Sequence, residues 1–351
     1  MKKMGMYNEL IMIYLDKNEN PHGPGQMVQK ALYDSITQVS RYPDMEGVSL
    51  KKALAEHYDL TPEQFTLSNG SGSVSLLILI AEQFTSENDK IILSENGFIH
   101  FIFNKFKKIG TFQRQCVIIP RINNHHDLSE IANAVTKNTK LIFIENPDNP
   151  SGTWISHKDL EKFLAAIPNN VIVVSDEAYY EYARYALHDE FPDTIALQKK
   201  YTNLITLRTF SKAYGLAGLR VAYAISSSEI RDILNKKWIR RSVTSPALIA
   251  ACAALKDKKH LEYVLENNAF GMTYIENSFE KMNIDYIPSV TNFITFNAGK
   301  NAKIVYEKLV EKEIYINSLD FYNLPSKLRV TVGLDEENRM FIKNLMNLHK
   351  I

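Results

Sequence analysis

Four short stretches hold residue types that can do chemistry, and each follows an apolar run. The first is TFSKAYGLAGLR, Thr209 to Arg220. A P-loop places its glycines before the lysine and a Ser or Thr after it. Here Ser211 precedes Lys212, Ala213 follows, and the glycines come later, so Lys212 is not a phosphate-loop lysine. Thr209, Ser211 and Arg220 can together hold a phosphate, with the arginine making a bidentate contact. Lys212 is then left for covalent chemistry, provided burial or a nearby cation such as Arg220 lowers its pKa. The second stretch, SDEAYYEY, sets Asp176 and Glu177 at a strand end beside Tyr179. A carboxylate there is costly without a cation, and no other His or carboxylate cluster has metal-ligand spacing. The third, ENPDNPSGT, is a proline-rigid loop that would hold Asn149 in one pose. The fourth, LSNGSGS, turns from a strand into the helix VSLLILIAEQF, whose first amides can cradle an anion at Ser71 and Gly72. It lacks the third glycine of a dinucleotide fingerprint. Taken singly, these also fit a surface lysine, a helix start, a turn and a loop.

The elements between them explain how they could meet. From about residue 65 to 225, short apolar runs (IILS, CVIIP, KLIFIEN, NVIVVSDE, NLITLRT, LRVAYAIS) alternate with amphipathic stretches such as DLSEIANAVTK and SHKDLEKFLAAI. Nearly continuous apolar runs of this length fit strands buried on both faces. The alternation predicts an α/β fold with a mostly parallel sheet between helices, whose ligands bind at the strands' carboxyl ends. After residue 225 the pattern changes. SSEIRDILNKKWIRR, SPALIAACAALKD and roughly 258–282 read as helices, TNFITF and KLRVTVG as short strands, and EENRMFIKNLMNLHK as a closing helix. This predicts a smaller α/β domain, with the N-terminal segment and its NENPHGPG loop packing on it or bridging the two.

The bulk numbers set limits. At 351 residues, two domains are expected; we place the larger at 40–244 and the smaller at 1–39 plus 245–351. A formal net charge of +1 gives no field favouring nucleic acid or an acidic membrane. The basic clusters KFKK and KKWIRR read as solvated helix faces. Two cysteines, Cys116 and Cys252, form no disulfide framework and point to a reducing compartment. The opening MKK is followed by only six apolar residues, LIMIYL, which does not read as a secretory signal. VSLLILIA is too short to span a bilayer. A cytoplasmic protein is expected.

One chemistry uses an anion cradle, a nucleophilic lysine, a buried carboxylate and a fixed asparagine together: pyridoxal 5′-phosphate (PLP) catalysis. From LDKNENPHGP to LRVTVG, in order and spacing, the chain resembles the fold-type I PLP-dependent aminotransferases of class I/II, most closely the histidinol-phosphate aminotransferases. That fold is a large domain with a seven-stranded, mostly parallel sheet, plus a smaller α/β domain. The resemblance implies that Lys212 forms the Schiff base with the cofactor and later moves the Cα proton. It implies that Asp176 pairs with the pyridinium nitrogen, and that Tyr179 and Asn149 bond the phenolic oxygen. Ser211 and Arg220, with Thr209, Ser71 and Gly72, fall at the phosphate positions, and Phe98 where a ring stacks on the cofactor. Tyr42 resembles a tyrosine reaching the phosphate from a second subunit, which implies a homodimer. Arg329 resembles the arginine that grips the substrate's acidic group. Asn20 and His22, with Asn18 and Glu19, fall in the loop over the site. The implied activity is ping-pong transfer of an amino group between a histidinol-phosphate-like or other amino-acid substrate and 2-oxoglutarate/glutamate.

Four departures surround the substrate. GSGS replaces an acidic pair in the phosphate turn, and His22 stands where an aromatic hydroxyl is common. LDEEN follows TVG where Thr-Arg is frequent, and RRSVTSP lacks a familiar asparagine. The alternative activities on this scaffold are a threonine-phosphate-type decarboxylase and an amino-acid oxidase. A non-catalytic binding or regulatory module is a third reading, opposed by the intact lysine, aspartate and arginine.

Overall fold

The computed structural model of the chain describes residues 12–349. The opening MKK and the start of LIMIYL, on which the leader reading rests, lie outside them, as does the last residue of the closing segment LHK. Among the described residues, twelve strands form two sheets. The first strand, β1 (Ile13–Leu15), belongs to the smaller sheet. The next seven are β2 (Phe65–Leu67), β3 (Lys90–Ser94), β4 (Gln115–Ile119), β5 (Thr139–Glu145), β6 (Ile172–Asp176), β7 (Leu204–Thr209) and β8 (Ala222–Ile225). They form one sheet in the order β2-β8-β7-β6-β5-β3-β4. The five strands β4, β3, β5, β6 and β7 run parallel, and β8 and β2 close the edge antiparallel. This is the mostly parallel sheet that the apolar runs predict, with the seven strands that the family resemblance implies.

Both faces of that sheet are covered, which is why its strands read as unbroken apolar runs. Along β5, Leu141 and Phe143 pack into the cluster that holds the helices Ser73–Phe84 and Phe98–Lys108. Ile142 and Ile144 pack on the other side, against the helix His157–Ala166. Each such side chain, withdrawn fully from water, contributes about 1.5–3 kcal/mol. The helices start where short polar residues allow it: Ser156 accepts from Asp159 N–H, Ser227 from Ile230 N–H and Thr244 from Ala247 N–H.

The remaining strands, β9 (Tyr286–Ile287), β10 (Phe293–Asn297), β11 (Ile314–Ser318) and β12 (Lys327–Thr331), join β1 in the order β1-β11-β12-β10-β9. β1 runs parallel to β11, so the N-terminal segment is a strand of the smaller sheet. Three details differ from the sequence reading. DLSEIANAVTK is helical only over Leu128–Asn133. The helix beginning at Ser228 ends at Asn235, so KKWIRR is a turn rather than a helix face, with Arg241 left-handed at φ 62°. β11 was not expected, because IYINS is short and ends in polar residues. Among the described residues, no helix is long and apolar enough to cross a membrane.

Candidate active site

Three neighbouring strands end at one cleft. β5 ends at Glu145, β6 at Asp176 and β7 at Thr209, and the ladder sets Glu145 beside Asp176. The cleft holds about 610 Å³ including its open mouth. Its lining contains Phe98, Asn149, Asp176, Tyr179, Thr209, Ser211, Lys212 and Arg220, eight residues singled out from the sequence. Ser73, Val74, Glu145, Pro147 and Ala178 complete it.

Strand alternation separates the Asp-Glu pair. Asp176 faces the cleft, 4% exposed, and its Oδ1 accepts from Ala178 N–H at 3.2 Å. Burial, reinforced by the Glu177 charge, pushes Asp176 up to about 7 even though that backbone bond and Lys212 oppose the shift. A carboxylate so placed suits a cationic N–H donor in the cleft. Glu177 points the other way. It is fully buried and takes two bonds from Arg208, at 3.0 and 2.9 Å, and one from Thr194 at 2.7 Å. The Arg208 guanidinium lies 3.3 Å from the centre of the Tyr180 ring.

Lys212 lies in the segment after β7, and its Nζ donates to the Lys17 carbonyl at 3.0 Å. Burial, then the Arg329 guanidinium, and more weakly that of Arg220, bring its ammonium down to about 7, against the pull of Glu19 and Asp176. The Nζ also sits 5.7 Å from the centre of the Tyr179 ring. Tyr179 is buried and its hydroxyl accepts from Asn18 Nδ2 at 2.8 Å, which leaves its own proton free to donate. Burial pushes that phenol up to about 12, so it stays protonated.

The anion end of the cleft is built from two loops. Arg220, left-handed at φ 55°, donates from Nη2 to the Ser71 carbonyl at 3.1 Å and from Nη1 to Ala217 at 2.9 Å. Gly72 has φ +65°, and a Cβ there would lie 2.8 Å from Arg220 Nη2. The glycine is therefore what lets the guanidinium lie against the start of the helix Ser73–Phe84, which no side chain caps. Thr209 Oγ1 accepts from Ser211 N–H at 3.1 Å and orients that serine.

Arg329, on β12, is 4% exposed. It reaches the large sheet by donating from Nη1 to Asn149 Oδ1, and from Nη2 to the Asp16 carbonyl at 3.0 Å. Asn20 lies behind the lysine and donates to the Ala213 carbonyl at 2.9 Å. His22 is not brought into the cleft lining. Its ring packs edge-on against Tyr263 at 4.9 Å, and burial and nearby His260 lower its pKa. Tyr42 is 87% exposed and away from the cleft, under the Arg241 guanidinium at 5.7 Å.

The sequence reading passes over Glu145. It closes an otherwise apolar strand, TKLIFIE, and that isolated carboxylate was the available signal. It is 7% exposed and lines the cleft; burial and the Asp148 charge push its pKa up, while Arg121 and the bond from Ile99 N–H hold the carboxylate. The Arg208–Glu177 pair was also missed, because Arg208 lies on β7 and Glu177 just past the end of β6.

The cleft thus offers an anion cradle, an amine of lowered basicity, a buried carboxylate and a donor pair at Tyr179 and Asn149. That donor set fits pyridoxal phosphate group by group. Comparisons with known proteins agree. Residues 11–345 match the sequence model of the family described as aminotransferase class I and II. A histidinol-phosphate aminotransferase 2 of Haemophilus influenzae is 40% identical over 349 residues, covering 99% of this chain and 92% of that protein. A histidinol-phosphate aminotransferase 1 of Idiomarina loihiensis is 40% identical over 337 residues, 96% of this chain and 89% of that one. The crystal structure of histidinol-phosphate aminotransferase from Sinorhizobium meliloti in complex with pyridoxal-5′-phosphate superposes with a TM-score of 0.88 at 27% identity, covering 96% of this chain and 91% of that one. The match along nearly the whole chain, met by a cleft of the right composition, makes this protein a member of the class I and II aminotransferase family and a PLP-dependent aminotransferase.

Proposed function

We propose that this enzyme moves an amino group between a histidinol-phosphate-like amino substrate and the 2-oxoglutarate/glutamate pair, in two half-reactions of a ping-pong cycle. The names of its relatives support the substrate class. The observation that carries the chemistry is the pairing, in one cleft, of a lysine brought down to about 7 with a buried aspartate raised to about 7.

In this reading Lys212 holds the cofactor covalently through Nζ, and Asp176 keeps its ring nitrogen protonated. Tyr179 Oη and Asn149 Nδ2 donate to the phenolic oxygen, and Phe98 lies against the ring. Arg220, Ser211 and Thr209 hold the phosphate with the Ser71–Gly72 turn, and Tyr42 of a second copy reaches the same phosphate, making the active unit a homodimer. When bound, the cofactor supplies a carbonyl that condenses with amines and a ring that accepts the electrons released at the substrate Cα. The chain's own part follows from its geometry. Released Lys212, half neutral at about pH 7 and more so above it, would be the base that takes the proton from the substrate Cα. Arg329 binds the substrate's acidic group, and the loop carrying Asn20 and His22 bounds the site. We assign 40–244 as the cofactor-binding unit and 1–39 with 245–351 as the second, and place the enzyme in the cytoplasm.

The test is a product assay with histidinol phosphate and 2-oxoglutarate. Glutamate should form in step with loss of the amino substrate, and Lys212→Ala should slow this by about 10³-fold or more. Absence of glutamate, with carbon dioxide released from a carboxylated substrate such as threonine phosphate or hydrogen peroxide from an amino acid in air, would point to a decarboxylase or an oxidase.

A further inference from the structure

Glu145 is a buried carboxylate that the reaction as derived does not use. Its two oxygens are nevertheless fully engaged at the cleft. Oε1 accepts from Ile99 N–H at 2.8 Å, and Oε2 from Phe98 N–H at 3.1 Å and from Asn149 N–H at 3.4 Å. Phe98 N–H also donates to the Asn149 carbonyl at 2.9 Å. One side chain therefore ties the first turn of the helix Phe98–Lys108 to the proline-bounded loop that carries Asn149. These are two separate walls of the cleft, one presenting an aromatic ring and the other an amide donor.

The surroundings are shaped for that carboxylate. Gly97 leaves no room for a side chain: a Cβ there would lie 2.6 Å from Glu145 Oε1 and 2.8 Å from Arg121 Nη2. The Arg121 guanidinium so admitted is anchored from both sides, to Asp148 Oδ1 at 2.6 Å and to the Glu95 carbonyl at 2.6 Å. His126 closes the ring of contacts by bonding the Glu145 carbonyl at 2.9 Å. A Gln in place of Glu145 keeps the shape but offers one acceptor oxygen, and turns an NH2 toward an N–H. It cannot satisfy both walls at once.

We infer that Glu145 is a positioning residue, whose carboxylate sets the spacing and orientation of Phe98 and Asn149 across the cofactor cleft. The inference rests on the reading that this cleft holds pyridoxal phosphate. It does not require Glu145 to touch substrate or to carry a proton during turnover.

The experiment is titration of cofactor-free protein with pyridoxal phosphate, followed by tryptophan fluorescence and by the induced visible circular-dichroism band. Wild type is compared with Glu145→Gln and with Leu160→Ala. Leu160 is fully buried on the opposite face of the sheet, so its variant controls for lost stability alone. Glu145→Gln should raise the dissociation constant about tenfold or more and weaken the dichroic band, since small misplacements at such sites are costly. Leu160→Ala should lower the Tm with both cofactor readouts unchanged. A Glu145→Gln protein with wild-type affinity and band would overturn the inference and leave the cofactor reading standing. Wild-type protein that gives no band would instead remove the cofactor reading, and this inference with it. Should Glu145→Gln fail to fold, Glu145→Asp, one methylene shorter, serves. It should also loosen the band, and a full wild-type band in it would equally overturn the role.

Discussion

Arg329 donates to Asn149 Oδ1, and this bond decides which end of the asparagine faces the cleft. A guanidinium has no acceptor, so the amide oxygen is committed to it and the Nδ2 donor is turned inward. The bond also joins the two sheets, since Arg329 lies on β12 and Asn149 follows β5. One arginine thus orients a cleft-facing donor and, in the function proposed above, would also bind the substrate's acidic group.

The same arginine tunes Lys212. Its charge is the strongest electrostatic contribution lowering the lysine. Uptake of pyridoxal phosphate by cofactor-free protein needs the neutral amine, so its rate should rise with pH through about 7. Arg329→Gln removes the cation, and the midpoint should move to higher pH. Uptake at pH 7 should slow by up to about tenfold, the effect of one pKa unit. Stopped-flow absorbance across pH 5.5 to about 9 checks this; an unmoved midpoint would mean that burial alone sets the lysine.

Asp176 should be a functional residue held at a cost in stability. Its folded pKa is raised, so the native state holds its proton more tightly than the unfolded chain between about 4 and 7. Stability from this group is therefore lost as pH rises through that window. Asp176→Asn should stabilise the cofactor-free protein near pH 8 by on the order of 2 kcal/mol while removing activity. Urea unfolding at pH 5 and 8 measures it; destabilisation at both would contradict the assignment of a costly buried charge.

Behind Asp176, the Arg208–Glu177 pair holds the end of β6 against β7. Both side chains are at most 1% exposed. Arg208→Met strands the Glu177 charge and should cost about 3–5 kcal/mol. The double variant Arg208→Met, Glu177→Gln should recover part of that loss. Equal losses in the single and double variants would show that the pair itself contributes nothing beyond packing.

Tyr42, exposed and outside the lining of its own chain's cleft, makes a testable demand on assembly. Tyr42→Phe should weaken pyridoxal phosphate binding several-fold. Mixed with Lys212→Ala subunits, it should recover activity, because one site per mixed dimer then has both native residues. Confirmed subunit exchange without any recovery would count against a shared site.

Much of this was legible in the sequence because parallel α/β sheets deliver chemistry at strand ends. Asp176, Asn149 and Lys212 each follow an apolar run, so local pattern alone placed them on one rim. What stayed hidden depends on pairing between distant segments. Nothing local says that Arg208 bonds Glu177, that Glu145 ties Phe98 to Asn149, or that Asn18 reaches Tyr179. His22 illustrates the converse. Its loop reaches Tyr179 through Asn18 and Ala213 through Asn20, but the bond from His22 N–H to Asn20 Oδ1 accompanies a ring turned toward Tyr263. KKWIRR misled because charge spacing resembles a helix face, whereas the chain turns left-handed at Arg241.

Amino transfer by this enzyme can be read from one spectrum. Purified protein loaded with pyridoxal phosphate is scanned before and after L-glutamate is added without acceptor. The visible band of the lysine-bound cofactor should bleach, return when 2-oxoglutarate is added, and be absent from Lys212→Ala. A band that neither glutamate nor histidinol phosphate alters would contradict amino transfer.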